Sequence, residues 1–413
     1  MRGFCMDWQD SLEQAQFRTE VAEFIQTRLP DRYRSGDDNN DETQTTGWQA
    51  DRKSNDASAK ESAINWADAL AEKGWIAPHW PKEYGGAGLS VMEQFIYNQE
   101  MAKADAPPVG GMGVSLLGPT MIVHGSEEQK AEHLPKILSG EVAWAQGYSE
   151  PSSGSDLASI QTRATRDGDD FVINGQKIWT SGAQYADWLF ALVRTDPEAP
   201  KHRGISFLVM DITTPGLTVR PIVDMGWQEP FNETFFEDVR VSTSNIVGEE
   251  NRGWYVGMTL LDFERSGISG AIEYERTIKE LLKYVNSESE SDTKVRDDFE
   301  SIRHQIADRY LEVNVLFNFA FRIVSMQNSG MVPNYEASVN KMFGSETHQR
   351  LARTGTKVFG LYSNLWSEDS EYSPMRSSFT RDYVRSVPHT IFSGSSEIQR
   401  NVIATRGLGL PRG

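Results

Sequence analysis

The chain has 413 residues, 38% of them hydrophobic, enough for two or three subdomains around a sizeable core. Acidic residues number 59 against 41 basic ones, a formal charge of -18. That field repels phosphate backbones and anionic bilayers, so neither nucleic acid nor a membrane is an expected partner.

The opening Met1 to Met6 has no apolar stretch of signal-peptide type, which points to a cytoplasmic, reducing location. Cys5 is the sole cysteine, so no internal disulfide or thiolate metal site is expected. The seven histidines show no HxH or HExxH spacing, and no metal is expected. Phe17, Val21, Phe24 and Ile25 recur at helical spacing, and a second helix runs from Ser62 through Trp66 and Leu70 to a stop at Gly74. The polar stretch 35–60 between them reads as a solvated loop. The run Pro78 to Gly88 is rich in glycine, but no strand precedes it and no lysine follows its last glycine, so it is not a phosphate loop.

From about residue 143 the texture changes to strands. Phe171 to Ile173, the pair Asn174-Gly175, and Gln176 to Trp179 read as a tight hairpin. Further strands are predicted at Trp188 to Val193, Ile205 to Met210, Leu217 to Pro221 and Phe235 to Val241, as in a small β-barrel or sandwich. From about residue 251 long helical patterns return near 253–286, 299–328 and 334–362, with a polar break at 286–298 and a last helix from Ser395. The longest apolar stretch, Val313 to Val324, is interrupted by Asn314, Asn318 and Arg322 and is too short to span a bilayer. The predicted class is α+β, with domains at 1–142 (helical), 143–250 (β) and 251–413 (helical); a doubly wound sheet is excluded by the order of elements.

Three segments carry the chemistry. Gly147 to Asp156 combines small residues and hydroxyls that allow close backbone approach to a ligand. Lys177-Ile178-Trp179-Thr180-Ser181-Gly182 follows, and Ile391 to Asn401 comes near the end. In this order and spacing they resemble the TEPxAGSD, GxKxWIT and YEGTSxIQR motifs of the acyl-CoA dehydrogenase family, with Ser149 replacing the threonine of the first. Arg194-Thr195-Asp196 and Asn245 to Gly248 also match family positions.

The resemblance implies a C-terminal four-helix bundle, FAD as cofactor and an acyl-CoA thioester as substrate. It implies that Gln146 to Ser155, including Tyr148 and Gly154, line the FAD, with Ser149 near the flavin pyrimidine and Ser155 also near the pantetheine arm. Trp179 packs on the isoalloxazine beside Thr180, Ser181 lies near flavin N5, and Ser395 and Glu397 reach the ribose–pyrophosphate. Arg303 resembles the arginine that meets a neighbouring subunit's FAD, which implies a homodimer or homotetramer, and the implied electron acceptor is an electron-transferring flavoprotein.

The pattern departs at the base. Most relatives place a glutamate before the glycine at 394; here that residue is Ser393, whose hydroxyl cannot take a proton from carbon without an activator. A minority of the family, isovaleryl-CoA dehydrogenase among them, carries the base on a helix immediately before an arginine, and Glu264 stands before Arg265. By the same resemblance, Asp262, Arg265 and Gly394 contact substrate. The stretch Thr356 to Gly360 lacks the glutamine and one glycine of the family's QxxGG element, and Ile306-Ala307 replaces its Phe-Gly pair. Such changes resemble subunits of heterotetramers in which half the FAD sites persist. Two alternatives to an active dehydrogenase therefore stay open: a non-catalytic partner subunit, and other flavin chemistry such as an oxidase or desulfinase.

Overall fold

A computed structural model describes residues 10–34, 47–264, 269–290 and 299–411. Helix α1 (Leu12–Arg28) starts at a capping box in which the Ser11 hydroxyl accepts from Gln14 N–H, and it buries Val21, Phe24 and Ile25, as the spacing predicts. After it come α2 (Trp48–Arg52), α3 (Ala57–Glu72), α4 (Val91–Lys103), α5 (Gly118–His124) and α6 (Glu127–Leu138). The polar stretch 35–60 is therefore not one loop: α2 and the first turn of α3 lie inside it, and residues 35–46 lie outside the described residues. Tertiary burial overrides its composition, because Trp48 is buried and Asp51 takes both Nε and Nη2 of Arg32 at 2.8 and 2.9 Å. The glycine run at 78–88 serves packing. A Cβ on Gly86 would stand 2.3 Å from the Trp80 carbonyl oxygen, and the Trp80 ring is itself fully buried.

The middle of the chain forms one seven-stranded sheet: β1 (Trp144–Gly147), β2 (Arg163–Asp167), β3 (Asp170–Lys177), β4 (Trp188–Arg194), β5 (Ile205–Asp211), β6 (Leu217–Ile222) and β7 (Phe231–Ser242). The order is β1-β4-β2-β3-β7-β6, with β5 also paired to β4. Strand β4 reads as an unbroken apolar run because both its faces are covered. Phe190 and Leu192 join the N-terminal helices in one core, while Leu189, Ala191 and Val193 join Ile173 and Val239 in another.

The predicted hairpin turn at Asn174-Gly175 is not one. Strand β3 continues through both residues against β7, with a bulge between Ile173 and Gly175, and the hairpin is β2–β3, turning at Gly168 (φ 66°). The physical reason is a cross-strand lock: Asn174 Nδ2 donates to Asp238 Oδ1 and Asp238 N–H donates to Asn174 Oδ1, both at 3.0 Å. Glycine is required at 175 (φ 149°), since a Cβ there would lie 2.7 Å from Thr162 Cα.

The C-terminal third contains α7 (Gly253–Glu264), α8 (Ser269–Glu290), α9 (Phe299–Asn328), α10 (Tyr335–Phe359), α11 (Ser378–Arg385) and α12 (Ser396–Val402). The helix predicted to end at 286 runs on to Glu290, because serine and glutamate tolerate a helix well enough when its other face is buried. Ile278 and Leu281 of α8, Ile302, Val313 and Leu316 of α9, and Leu351 and Phe359 of α10 share a core with Phe95 and Ile96 of α4. The Phe95 ring meets Phe317 and Phe321 edge-on. Among the described residues no helix is long and apolar enough to cross a membrane, and no group of three or more metal-ligating side chains could hold an ion.

Candidate active site

Strand β3 alternates its inward residues, Phe171, Ile173 and then Lys177, so the register drives a lysine into the interior. Lys177 is fully buried, and its Nζ donates to Glu150 Oε1 at 2.8 Å and to the Tyr148 carbonyl at 3.1 Å. Glu150 also accepts the backbone N–H of Gln161 at 2.6 Å and of Thr162 at 2.8 Å. Burial pushes the lysine down to about 8 against the pull of the Glu150 charge, so the amine stays protonated at neutral pH. Burial alone would raise Glu150, but the Lys177 charge and the hydrogen bonds outweigh it and hold the carboxyl below its usual range.

That buried pair fixes the 148–153 loop to the end of β3. Ile178 N–H donates to the Ser149 carbonyl at 2.9 Å, and Glu150 and Ser153 form an isolated β-bridge. The strand then turns sharply: Trp179 adopts φ 63°, and its indole, 56% exposed, stands edge-on to Phe231. Thr180 is buried, exchanges both backbone hydrogen bonds with Asn232 at 3.0 Å, and accepts at Oγ1 from Thr234. Ser149 and Ser181 are half-buried, whereas Gly154 and Ser155 are exposed, with open space where a Gly154 Cβ would go. Gln146 is half-buried with its Nε2 unpartnered. Tyr148 turns inward, its ring edge-on to Phe190 and Phe207, and its Oη would be 3.4 Å from a Cβ placed on Gly257 of α7. Its backbone, not its side chain, faces the loop.

A second cluster surrounds residues 389–399. Ser393 (φ 52°) and Gly394 (φ 82°) are consecutive left-handed residues, which for serine stores on the order of 1 kcal/mol of strain. Gln399, buried on α12, donates from Nε2 to the Ser393 carbonyl at 3.1 Å and to the Gly394 carbonyl at 3.3 Å. Lys341 of α10 donates from Nζ to the Gly394 carbonyl at 2.8 Å and to the His389 carbonyl at 3.0 Å. Behind the turn, His389 Nδ1 lies 3.3 Å from His348 Nδ1, and the His348 ring stacks on Tyr274 at 4.9 Å. Ser395 caps α12 by accepting Ile398 N–H, and Glu397 is exposed in its first turn.

The structure thus gathers Ser149, Trp179, Thr180 and Ser181 at the end of β3, and separately places Gly394, Ser395 and Glu397 at the start of α12. Arg303 is exposed on α9, joined to neither group by a hydrogen bond or ion pair among the described contacts, while Ile306 one turn on is core. Glu264 is the last helical residue of α7, but its side chain, that of Asp262 and the whole of Arg265 lie outside the described residues. Sequence reasoning placed Glu150 only within the FAD-lining stretch and Lys177 and Gln399 only within motifs, and gave Lys341 no role. A signal existed for Lys177 alone, since a lysine in the inward register of a strand demands a carboxylate.

Three family models match the chain: the acyl-CoA dehydrogenase N-terminal domain at 11–141, the middle domain at 145–239 and the C-terminal domain at 251–408. The chain is 37% identical to acyl-CoA dehydrogenase IpdE1 of Mycobacterium tuberculosis over 350 residues, 84% of this chain and 88% of that one. Its fold is similar to the Tcur3481-Tcur3483 steroid acyl-CoA dehydrogenase, at 32% identity, TM-score 0.83, and coverage of 99% and 100% of the two chains. It is likewise similar to the ChsE4-ChsE5 complex from M. tuberculosis, at 32% identity, TM-score 0.79, and the same coverage.

FAD, the cofactor such enzymes use, fits the residues present. A planar ring needs a flat apolar partner and polar edges, and the exposed Trp179 indole, the unpartnered Gln146 amide and the Ser149 and Ser181 hydroxyls offer both.

Proposed function

The chain belongs to the acyl-CoA dehydrogenase family, and from that premise we propose that it desaturates a CoA thioester between its α and β carbons, with Glu264 as the base. Membership makes it an FAD-dependent oxidoreductase. The bound flavin supplies the hydride acceptor; the protein supplies alignment and proton handling.

The observation that carries the reading is the strained turn. With serine at 393 no carboxylate is available there, while the backbone of Ser393 and Gly394 is held in place by two side chains. A backbone donor survives a side-chain substitution, so the turn keeps the means to stabilise charge on the thioester carbonyl while the base resides elsewhere. Glu264 ends α7, the helix that approaches Tyr148 of the flavin-side loop. Its carboxylate takes the α-proton, and exclusion of water around the bound thioester raises its basicity. Asp262 and Arg265 hold the substrate's acyl or CoA portion. On the opposite side, Trp179, Thr180 and Ser181 orient the cofactor, with Gln146, Ser149, Gly154 and Ser155 along its edge; Ser395, Glu397 and Arg303 serve its ribose–pyrophosphate portion, the last across a subunit boundary.

The similar steroid enzyme makes a bulky, ring-bearing acyl group the first substrate class to try, with an electron-transferring flavoprotein as acceptor. The test is anaerobic bleaching of the flavin by a panel of acyl-CoAs. Wild type bleaches, and Glu264→Gln loses about 100-fold or more in rate; bleaching at the wild-type rate in the variant removes Glu264 from the chemistry.

A second reading, a subunit that works only with a different homologue, draws on the sequence Thr356 to Gly360 and on the two-component assemblies among the similar structures. Flavin content separates the two. A self-sufficient homo-oligomer purifies alone with about one FAD per chain, and a dependent subunit does not.

A further inference from the structure

The Ser393–Gly394 turn is two left-handed residues on a loop between the short turn at residues 387–390 and α12, and a serine does not adopt φ 52° unaided. Its conformation is imposed from two sides. Gln399, one turn into α12, takes both turn carbonyls, and it blocks any side chain at 394, since a Cβ there would meet its Nε2 at 2.5 Å. Gln399 is local to the loop and moves with it. Lys341 is not local. It projects from the second turn of α10, more than 45 residues away in sequence, and bridges the carbonyls at both ends of the loop, His389 and Gly394. Its ammonium also lies 5.9 Å from the Phe392 ring centroid.

Helix α10 is rigidly placed: Leu351 and Phe359 lie in the C-terminal core, and Ser345 Oγ returns a hydrogen bond to the Lys341 carbonyl. The lysine therefore transmits the position of the bundle to the turn. A peptide unit is planar with its C=O and N–H antiparallel, so fixing the Ser393 and Gly394 carbonyls fixes the direction of the Gly394 and Ser395 amides. With the Ser393 dihedrals set by the same two anchors, its own N–H direction is set too.

We propose that Lys341 is a positioning residue for the reaction: it pins the turn at 393–394 so that its amides meet the thioester carbonyl, and it couples that site to the helical bundle. This rests on the reading of the turn as the thioester-carbonyl site.

The test uses the FAD-loaded protein and the variants Lys341→Met, Lys341→Arg and Gln399→Met. Hydrogen exchange is read by mass spectrometry on peptides spanning 387–399, and flavin bleaching is followed with the acyl-CoA panel. In Lys341→Met the 390–395 amides exchange about tenfold faster while the rest of α10 is unchanged, and bleaching slows about 10- to 100-fold at unchanged FAD content. Lys341→Arg, which keeps a cationic donor, recovers most of both. Unaltered exchange at 390–395 in Lys341→Met, or an arginine variant no better than the methionine one, overturns the proposal. Should Lys341→Met fail to fold or to retain FAD, Gln399→Met carries the test: faster exchange confined to the loop supports a turn that needs its anchors, and wild-type exchange overturns it. If the exchange responds as expected but no acyl-CoA bleaches wild type, the pin stands and the dehydrogenase reading falls.

Discussion

The two candidate clusters are built on opposite principles. On the β side, the 148–150 loop is tied to strand β3 by a fully enclosed charge pair and by backbone bonds, all within about 30 residues of sequence. On the helical side, the 393–394 turn is strained and exposed, and its outside anchor is a half-buried lysine from another helix. The first arrangement resists motion because breaking it strands a charge in the interior. The second resists motion only while α10 and the loop stay in register. The β-side cluster is thus rigid by energy, and the helical one is rigid by placement.

The sharpest way to break that contrast is Glu150→Ala. It leaves the Lys177 ammonium and the N–H groups of Gln161 and Thr162 without their acceptor, and unfolding by denaturant should show a loss of about 3–5 kcal/mol. The double variant Glu150→Leu with Lys177→Met should lose less than Glu150→Ala alone, because no charge is then stranded; a larger loss in the double variant would show that the pair acts mainly through packing. Next comes Gly175→Ala. Its Cβ would press on Thr162 at 2.6–2.8 Å in a backbone conformation that L-residues avoid, for about 1–3 kcal/mol by the same measurement.

The last effect belongs to the helical side and is one of pH. Burial, then the neighbouring His389, lowers His348 to about 4, and burial with the Lys341 charge lowers His389 as well. The folded state therefore holds fewer protons than the unfolded chain between about pH 6.5 and 4. Stability is full above that window, falls as the pH drops through it, and levels off below. Melting temperature against pH should show this decline, and His348→Asn should flatten it. Glu150 titrates in the same direction at lower pH, so a decline confined to below pH 4 would assign acid sensitivity to the β side instead.

What was legible in the sequence follows the same division. Strands β4 to β7 and the inward face of α1 appear close to the expected residues because period-2 and period-3.6 burial is written locally. Asn174-Gly175 misled because the pair suits a tight turn and a bulge equally; only Asp238, 64 residues on, decides between them. Helix α2 was hidden because Asp51 and Trp48 are buried by partners that no local pattern announces. The motif residues at 149, 179 and 181 could be singled out, yet the groups that hold them, Glu150 and Lys177, were seen as letters of a motif rather than as a pair. Lys341 was invisible, since a lysine on a long helix looks like any solvated cation until the loop it grips is placed beside it.

The left-handed residue at 179 has one more consequence. The sequence contains eleven tryptophans, and among the described ones only Trp179 and Trp227 are exposed. Turning its strand end outward gives the molecule a built-in fluorescent window at the end of β3, dimmed by whatever lies down upon it, while the enclosed indoles supply a steady background glow.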